Sequence, residues 1–598
     1  MPKCDFAREM FVTAVICAGI AAFPSLSHAQ MPNFEGVWGG KRRFGPDIAG
    51  RLEIRQANHK CRAKIAQYDV PCTTQDGLIR FELPPGQGSF TGRFQEGESV
   101  IRGYWIQPPN VNDGAKFASP VTLRPHGKDD WQGNVDPLAD DFTLFLVVKR
   151  RPDGSLGAFI RNPERNIGTL WKVDHLELER NQIKLVGKSD GQRPGRVYTE
   201  GVYYPDDKRI ALYFPERGGT YDFVPVTDDS AFYARGKKPV PYEYRPPLPE
   251  EDGWKVGTLE EVGMVPGPIA DLVHTIDSVP AESVHAPYIH GFLIARHGKL
   301  VAEEYFYGFH RLKPHDTRSA SKSVTSILFG AVMEKGVKVS PSTKVYDLLY
   351  HGNLPDGIDP RKKEMTVENL LTMSSGYDCD DNDGTRPGSE NTLLDEQKDP
   401  DYYSYTLRLP LEPNLEPGQE AVYCSINPNL VGDVIATAAQ EPLLDLFTDL
   451  LAEPLQLQDY HLTLQPTGEP YMGGGIKWLP RDFMKFGQLM LNGGVWEGKR
   501  VLSKDYVVRS TFPLYGLRDH SPSFKYGYLW WITDFPYRDK TVRAYYASGN
   551  GGNYVLVFPE LDMVVAFFAG NYADHAVQVT LKEYIPKFIL SALKDETR

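Results

Sequence analysis

Between Phe34 and Ala234 apolar and polar residues alternate in short runs, among them "GRLEIRQ", "CRAKIAQY", "GLIRFEL", "FTLFLVVKR", "IKLVG" and "VYYPDDKRIALYFP". Successive side chains of a strand point to opposite faces, so a period of two predicts half-buried strands; the Gly, Asp-Asp and Pro-Gly pairs between the runs supply turns. Long helical periods are scarce in this part. Residues 30–235 are therefore expected to form an all-β, antiparallel barrel or sandwich. "GKKPVPYEYRPPLPEEDGW", residues 236–254, follows with five prolines and both signs of charge, which predicts a stiff extended linker and a domain boundary.

Beyond the linker the period changes. "TLEEVGMVPGPIADLVHTIDSV" and "SKSVTSILFGAVMEKG" repeat as helices do, and "IHGFLIARHGKLVAEEYFYGF" reads as a hairpin turning at His297-Gly298. The strand-like runs "YGYLWWI", "VRAYYAS", "NYVLVFP" and "DMVVAFFAG" come next, then a last helix from about Ala573 to Lys594. Strands at both ends with helices between them predict, for residues 255–598, an α/β domain whose antiparallel sheet is covered by helices.

The first 29 residues change the picture of where the chain works. An apolar run from Met10 to Phe23 ends at Ser27-His28-Ala29, a small-x-small cleavage signal, so residues 1–29 are expected to be a signal peptide and the mature protein to be periplasmic or secreted. A membrane anchor is the competing reading, but the run is shorter than the ~20 residues a spanning helix needs, and no later segment reaches that length. Export would leave four of the six cysteines, Cys61, Cys72, Cys379 and Cys424, in a compartment that permits disulfides. Cys61 and Cys72 fall in neighbouring strand-like runs, which favours a local bridge. A net charge of −12 argues against nucleic acid or an anionic membrane surface as the main partner, since both call for clustered Lys and Arg. Small or neutral ligands fit better.

Candidate chemistry centres on "HDTRSASKSVTS", residues 315–326. Ser319 and Lys322 are three apart at the start of a helix, so they share a face, and the unpaired N–H groups there favour developing negative charge. A lysine buried at such a place is expected to lose its proton more readily and to serve as a base. The spacing alone is weak evidence, because a chain this long shows it about twice by chance. It does occur twice: Ser591 and Lys594 form the second copy, with no partner motifs after it.

Ser319 has company downstream. "TVENLLTMSSGYD", "EPGQEAVYCSINPNLVG", "GGGIKWLPRDFMKFGQLMLNGGVWEGKRVLS", "YGYLWW" and "YYASGNGGNYVLVFPELDMVV" follow in order. In order and spacing they resemble the serine β-lactamase and penicillin-binding-protein superfamily, in its branch of class C β-lactamases, serine esterases and 6-aminohexanoate-dimer hydrolase. The resemblance covers about residues 255–595. It implies a β-lactamase-like fold with a helical subdomain, a serine hydrolase activity through an acyl-enzyme, and no cofactor or metal. Ser319 would be the nucleophile, Lys322 its hydrogen-bonded base, and Tyr423 of "YCS" the tyrosine that relays the proton. The N–H groups of Ser319 and Asn550 would form the oxyanion hole.

Two positions depart from the family pattern. Ser425 stands where Asn is commonest and lacks the amide's separate acceptor and donors. Ala547, Ser548 and Gly549 align with a substrate-binding strand whose first position usually carries Lys or His. Ala547 removes the cation that binds a substrate carboxylate, which points away from β-lactams and peptidoglycan C-termini toward an ester or another amide. A β-lactamase or D-amino-acid peptidase of the same fold, or a non-catalytic ligand-binding protein, are the competing readings.

"YDCDDNDGT", residues 377–385, has the alternating oxygens of a calcium loop, but Asp383 holds the required glycine position and Ser389 the place of the terminal Glu. A solvated acidic loop is expected instead. In the resembling fold it lies near the site mouth, where its carboxylates would favour an amine-bearing substrate, and a Cys379–Cys424 bridge would pin it to the tyrosine segment.

Overall fold

The computed structural model describes residues 33–594, apart from 44–47, 58–59, 85, 96–98, 110–113, 140, 190–193, 282–284, 286 and 573–574. The expected signal peptide lies outside the described residues. Alternation does produce strands, but the β-rich part closes into two rings rather than one. Strand Gly36–Arg43 pairs with Asp141–Arg150 and with Gly219–Pro225, closing an eight-stranded barrel. Inserted between its first and second strands, Gly50–Ala57 through Asp130–Val135 form a second ring of eight, closed where Gly50–Ala57 pairs with Asp130–Val135. The inward residues of each ring pack as a separate core, Trp38, Leu144, Ile160 and Leu185 in the first, Leu52, Ile54, Phe81 and Trp105 in the second. Rings of this size are just wide enough for side chains to fill.

Residues 236–254 run without regular secondary structure. Tyr242 donates to Glu304 Oε1 at 2.7 Å and Tyr244 to the Val301 carbonyl at 2.8 Å, fastening the segment to the hairpin beyond it. That hairpin, Ile289–Arg296 with Lys299–Tyr305, turns at His297 and Gly298, both with positive φ as a two-residue turn requires.

The hairpin belongs to an eight-stranded sheet completed by strands from the chain's end, with Met563–Ala569 beside Ile289–Arg296. All its pairs are antiparallel except that of Lys255–Val256 with Lys299–Tyr305. One face packs on helix Pro266–Asp277 and the C-terminal helix; the other packs on helices Lys322–Glu334 and Pro480–Leu491 and the helical region between them. Two boundaries differ from the sequence pattern. "YGYLWWI" breaks at Leu529, whose φ is 60°, so the strand proper is Trp531–Tyr537. The last helix has π pitch over Thr580–Ile589, accommodating Pro586, which cannot donate an N–H to a regular ladder. Among the described residues no helix is long and apolar enough to cross a membrane.

Candidate active site

Three elements meet at Ser319. The first is the turn Arg318–Ser321 leading into helix Lys322–Glu334, which is buried over most of its length. Thr325 donates to the Met472 carbonyl at 2.8 Å and Ser323 to the Leu529 carbonyl at 2.6 Å, so the helix cannot roll. Arg318 has φ 49°, a left-handed conformation that a non-glycine residue adopts at a cost, and its carbonyl accepts from Gly475 N at 3.1 Å. The second element is the segment carrying Tyr423. The third is strand Lys540–Gly549, whose last residue abuts the turn that carries Ser319: a Cβ on Gly549 would stand 2.0 Å from the Thr317 carbonyl oxygen. Glycine is needed there for space, not for backbone freedom.

Lys322 is buried and donates to Ser319 Oγ at 2.9 Å and to the Gly473 carbonyl at 2.5 Å. Its Nζ lies 5.2 Å from the centre of the Tyr423 ring. The expected fall in the lysine's pKa does not occur. Burial does pull it down, but the interaction with Tyr423, and with the carboxylates of Glu390 and Asp381, outweighs burial and holds the Lys322 proton above the ordinary lysine value. Burial also raises Tyr423, with the Lys322 cation and the Ser319 bond offsetting only part of the rise. In the resting site Lys322 is therefore an ammonium and Tyr423 a phenol.

Asp381 and Glu390, which sequence reasoning did not assign, supply that charge. Asp381 Oδ2 accepts from Ser425 N at 2.8 Å and Ser425 Oγ at 2.6 Å, and Oδ1 accepts from Glu390 N at 2.9 Å. Tyr471 donates to Glu390 Oε1 at 2.8 Å. Burial, then the neighbouring Glu390 charge, push the Asp381 carboxyl up to about 7. The loop "YDCDDNDGT" is thus not the solvated acidic loop expected. Asp378 and Asp383 pair with Arg386, and Asp381 turns into the site. Its composition flagged the segment; which aspartate faces inward depends on the fold. Glu390 and Tyr471 carried no sequence signal.

Both candidate disulfides are present, Cys61–Cys72 across adjacent strands and Cys379–Cys424 joining the loop to the residue after Tyr423. Asp381 N also donates to the Tyr423 carbonyl at 3.0 Å, so loop and tyrosine segment are fastened twice.

The remaining candidates are placed unevenly. Asn550 lines the same cavity as Ser319, with its Oδ1 accepting from Gly551 N at 2.8 Å. Ser425 is buried with its hydroxyl committed to Asp381. Ala547 is buried in the core on the helix side of the sheet, so no cation enters from that position. Ser548, next along the strand, points to the opposite face, where it stands opposite Tyr554; the alternation of a strand takes it away from the cavity. The second Ser-x-x-Lys copy is a surface feature: Ser591 is exposed and donates to the Lys587 carbonyl at 2.5 Å.

The Beta-lactamase family matches residues 290–579. The 6-aminohexanoate-dimer hydrolase of Paenarthrobacter ureafaciens is 26% identical over 261 residues, which is 40% of this chain and 64% of that protein. The match thus spans a little under two thirds of the relative's length. Among solved structures, the penicillin-binding protein of Bacillus halodurans is 16% identical with a TM-score of 0.38, covering 49% of this chain and 95% of that one. A D-stereospecific amidohydrolase from a Streptomyces species is also 16% identical, with a TM-score of 0.38 over 49% of this chain and 94% of its own. The helix that begins at Lys322, the segment carrying Tyr423 and the strand ending at Gly549 all lie inside residues 290–579, the stretch that matches the Beta-lactamase family.

Proposed function

We propose that the protein hydrolyses an ester or a non-peptidoglycan amide through an acyl-Ser319 intermediate. The observation that carries this reading is that buried Lys322 Nζ stands 2.9 Å from Ser319 Oγ and 5.2 Å from the centre of the Tyr423 ring. The ammonium of Lys322 stabilises a phenolate on Tyr423, so the tyrosine takes the base role that sequence spacing gave to the lysine. Tyr423 phenolate accepts the Ser319 proton as Oγ bonds to the substrate carbonyl carbon. The N–H groups of Ser319 and Asn550 hold the resulting oxyanion. The same proton passes from Tyr423 to the leaving alcohol or amine, and the carbonyl–heteroatom bond breaks. A water molecule, deprotonated by Tyr423, then attacks the acyl carbon and frees Ser319 with the carboxylic acid.

Ala547 supports the choice of substrate, because a buried methyl group stands where a carboxylate-binding cation would. The pair of disulfides supports export to an oxidising compartment. A panel of a p-nitrophenyl ester, the linear dimer of 6-aminohexanoate, a chromogenic cephalosporin and a D-alanyl-D-alanine peptide tests the reading. Turnover of the ester or the linear amide is expected. Efficient cephalosporin or D-peptide cleavage with neither of these would overturn it.

A further inference from the structure

The inserted barrel does not stand apart from the catalytic domain. Its strand Lys116–Gly127 continues into the domain by pairing with Tyr460–Leu464, Ala118 opposite Leu462 and Phe117 opposite Thr463. Buried polar bonds fix the junction: Ser119 shares a hydrogen bond of 2.8 Å with His461, and the Tyr104 hydroxyl one of 2.6 Å with Thr448 and one of 3.0 Å with Tyr460. Arg93 pairs with Asp445 at 2.9 Å, and Arg102 with Glu453. Polar groups bonded across a buried junction lose those bonds if the two parts separate, so the barrel is held in one position.

That position brings it to Ser319. The Phe117 ring centre lies 5.4 Å from Lys477 Nζ, which pairs with Asp316 Oδ2 at 2.6 Å. Asp316 Oδ1 in turn accepts from Arg318 N at 2.9 Å, one residue before the nucleophile. The cavity that holds Ser319, about 550 Å³, has Ala115 and Phe117 of the barrel on one side. Leu394, Tyr402, Leu464 and Tyr471 are among the catalytic domain's contributions to its lining. Of the charges around it, Arg318 and Lys477 are engaged with Asp316 and Glu390 with Tyr471, and Lys116 and Asp395 stand on its lining beside the apolar side chains. Leu394 is 43% exposed, an apolar side chain left open to the cavity. The volume lies within the ~300–1,000 Å³ range of pockets that enclose organic ligands.

We propose that the inserted barrel forms one wall of an apolar subsite beside Ser319, and that this subsite takes a medium-length alkyl chain flanking the scissile carbonyl. The kinetic part of the proposal rests on Ser319 being the nucleophile; the binding part does not. The barrel thereby sets the substrate range, held in place by the pairing of its strand with Tyr460–Leu464.

The test uses Ala115→Trp in the full chain. Ala115 is partly exposed on the cavity wall, so an indole there fills the subsite without removing core contacts. Hydrolysis of methyl octanoate, octyl acetate and methyl acetate is followed by pH-stat. The ratio of kcat/KM for the eight-carbon ester to that for methyl acetate is expected to fall at least tenfold in Ala115→Trp and to stay unchanged in Val508→Trp, a substitution on an exposed helix face. Loss with methyl octanoate places the chain on the acyl side; loss with octyl acetate places it on the leaving-group side. A ratio within twofold of wild type for both esters overturns the proposal. Calorimetric binding of the same esters to Ser319→Ala, with and without Ala115→Trp, separates the two claims. If the wild type hydrolyses neither these esters nor the linear dimer of 6-aminohexanoate, the nucleophile reading fails, and an eight-carbon affinity unaffected by Ala115→Trp overturns the subsite as well. At least tenfold weaker binding in the double variant upholds it.

Discussion

Replacing Gly549 by alanine is the sharpest mechanical test of how the site is held. A Cβ at this position stands 2.0 Å from the Thr317 carbonyl oxygen and 3.0 Å from the Ala320 nitrogen, whereas ordinary contact begins at 3.4 Å. Both crowded atoms are backbone, so no side chain can swing aside. The strand end or the nucleophile turn must retreat by about 1.4 Å, the difference between 2.0 and 3.4 Å. Overpacking of this kind costs about 1–3 kcal/mol of stability. The larger effect is on rate, because the retreat moves Asn550 away from Ser319. A displacement of about 1 Å between reacting groups costs on the order of a hundredfold, or roughly 2.7 kcal/mol of barrier. The assay is steady-state ester hydrolysis beside calorimetric melting of wild type and Gly549→Ala. A kcat about a hundredfold lower, with KM changed much less and a melt lowered by a few degrees, is expected. A variant that turns over within twofold of wild type would refute the claim that this strand end and the nucleophile turn must stay in contact.

Two other consequences follow from the site's charges and its cross-link. Lys322 and Tyr423 both hold their protons above their ordinary values, so the acceptor for the serine proton is itself protonated at neutral pH, and raising the pH frees it. Burst-phase acylation should therefore climb close to tenfold per pH unit from pH 6 into the alkaline range, and a plateau already reached at pH 7 would contradict the assignment. The Cys379–Cys424 bridge closes a separation of 45 residues, for which chain entropy gives about 4 kcal/mol of stabilisation. A Cys379→Ser, Cys424→Ser double variant should unfold at lower denaturant and lose turnover as the Tyr423 segment loosens; unchanged denaturation and activity would show that the bridge does neither.

Much of the catalytic half was legible because its signals are local. The His297-Gly298 turn, the apolar runs of the sheet and the three-residue spacing of Ser319 and Lys322 each depend on residues close in sequence. The insertion of one barrel into another was not, since it rests on Gly36 pairing with Val148, and the strands of both rings alternate in the same way. Lys322 shows the same limit in electrostatic form. Burial was a sound expectation, but the sign of its shift is set by Tyr423 together with Glu390 and Asp381, the last two 68 and 59 positions along the chain, and all three reach it only through the fold. Ser548 and Ser425 were read from motif alignment, which gives the position along the chain but not where a hydroxyl points. One face-switch along a strand set Ser548 opposite Tyr554, and one inward carboxylate took Ser425. Phe117, in a different ring from the nucleophile, carried no signal that could link it to Ser319.

The central claim is that Ser319 is the acylated nucleophile, and a single labelling experiment addresses it. The purified protein is treated with a fluorophosphonate probe, digested, and the modified peptide sequenced by mass spectrometry. One adduct on Ser319 is predicted, lost in Ser319→Ala and retained in Ser591→Ala. A protein that folds but takes no label, or takes it on another serine while Ser319→Ala labels as well as wild type, would contradict the account.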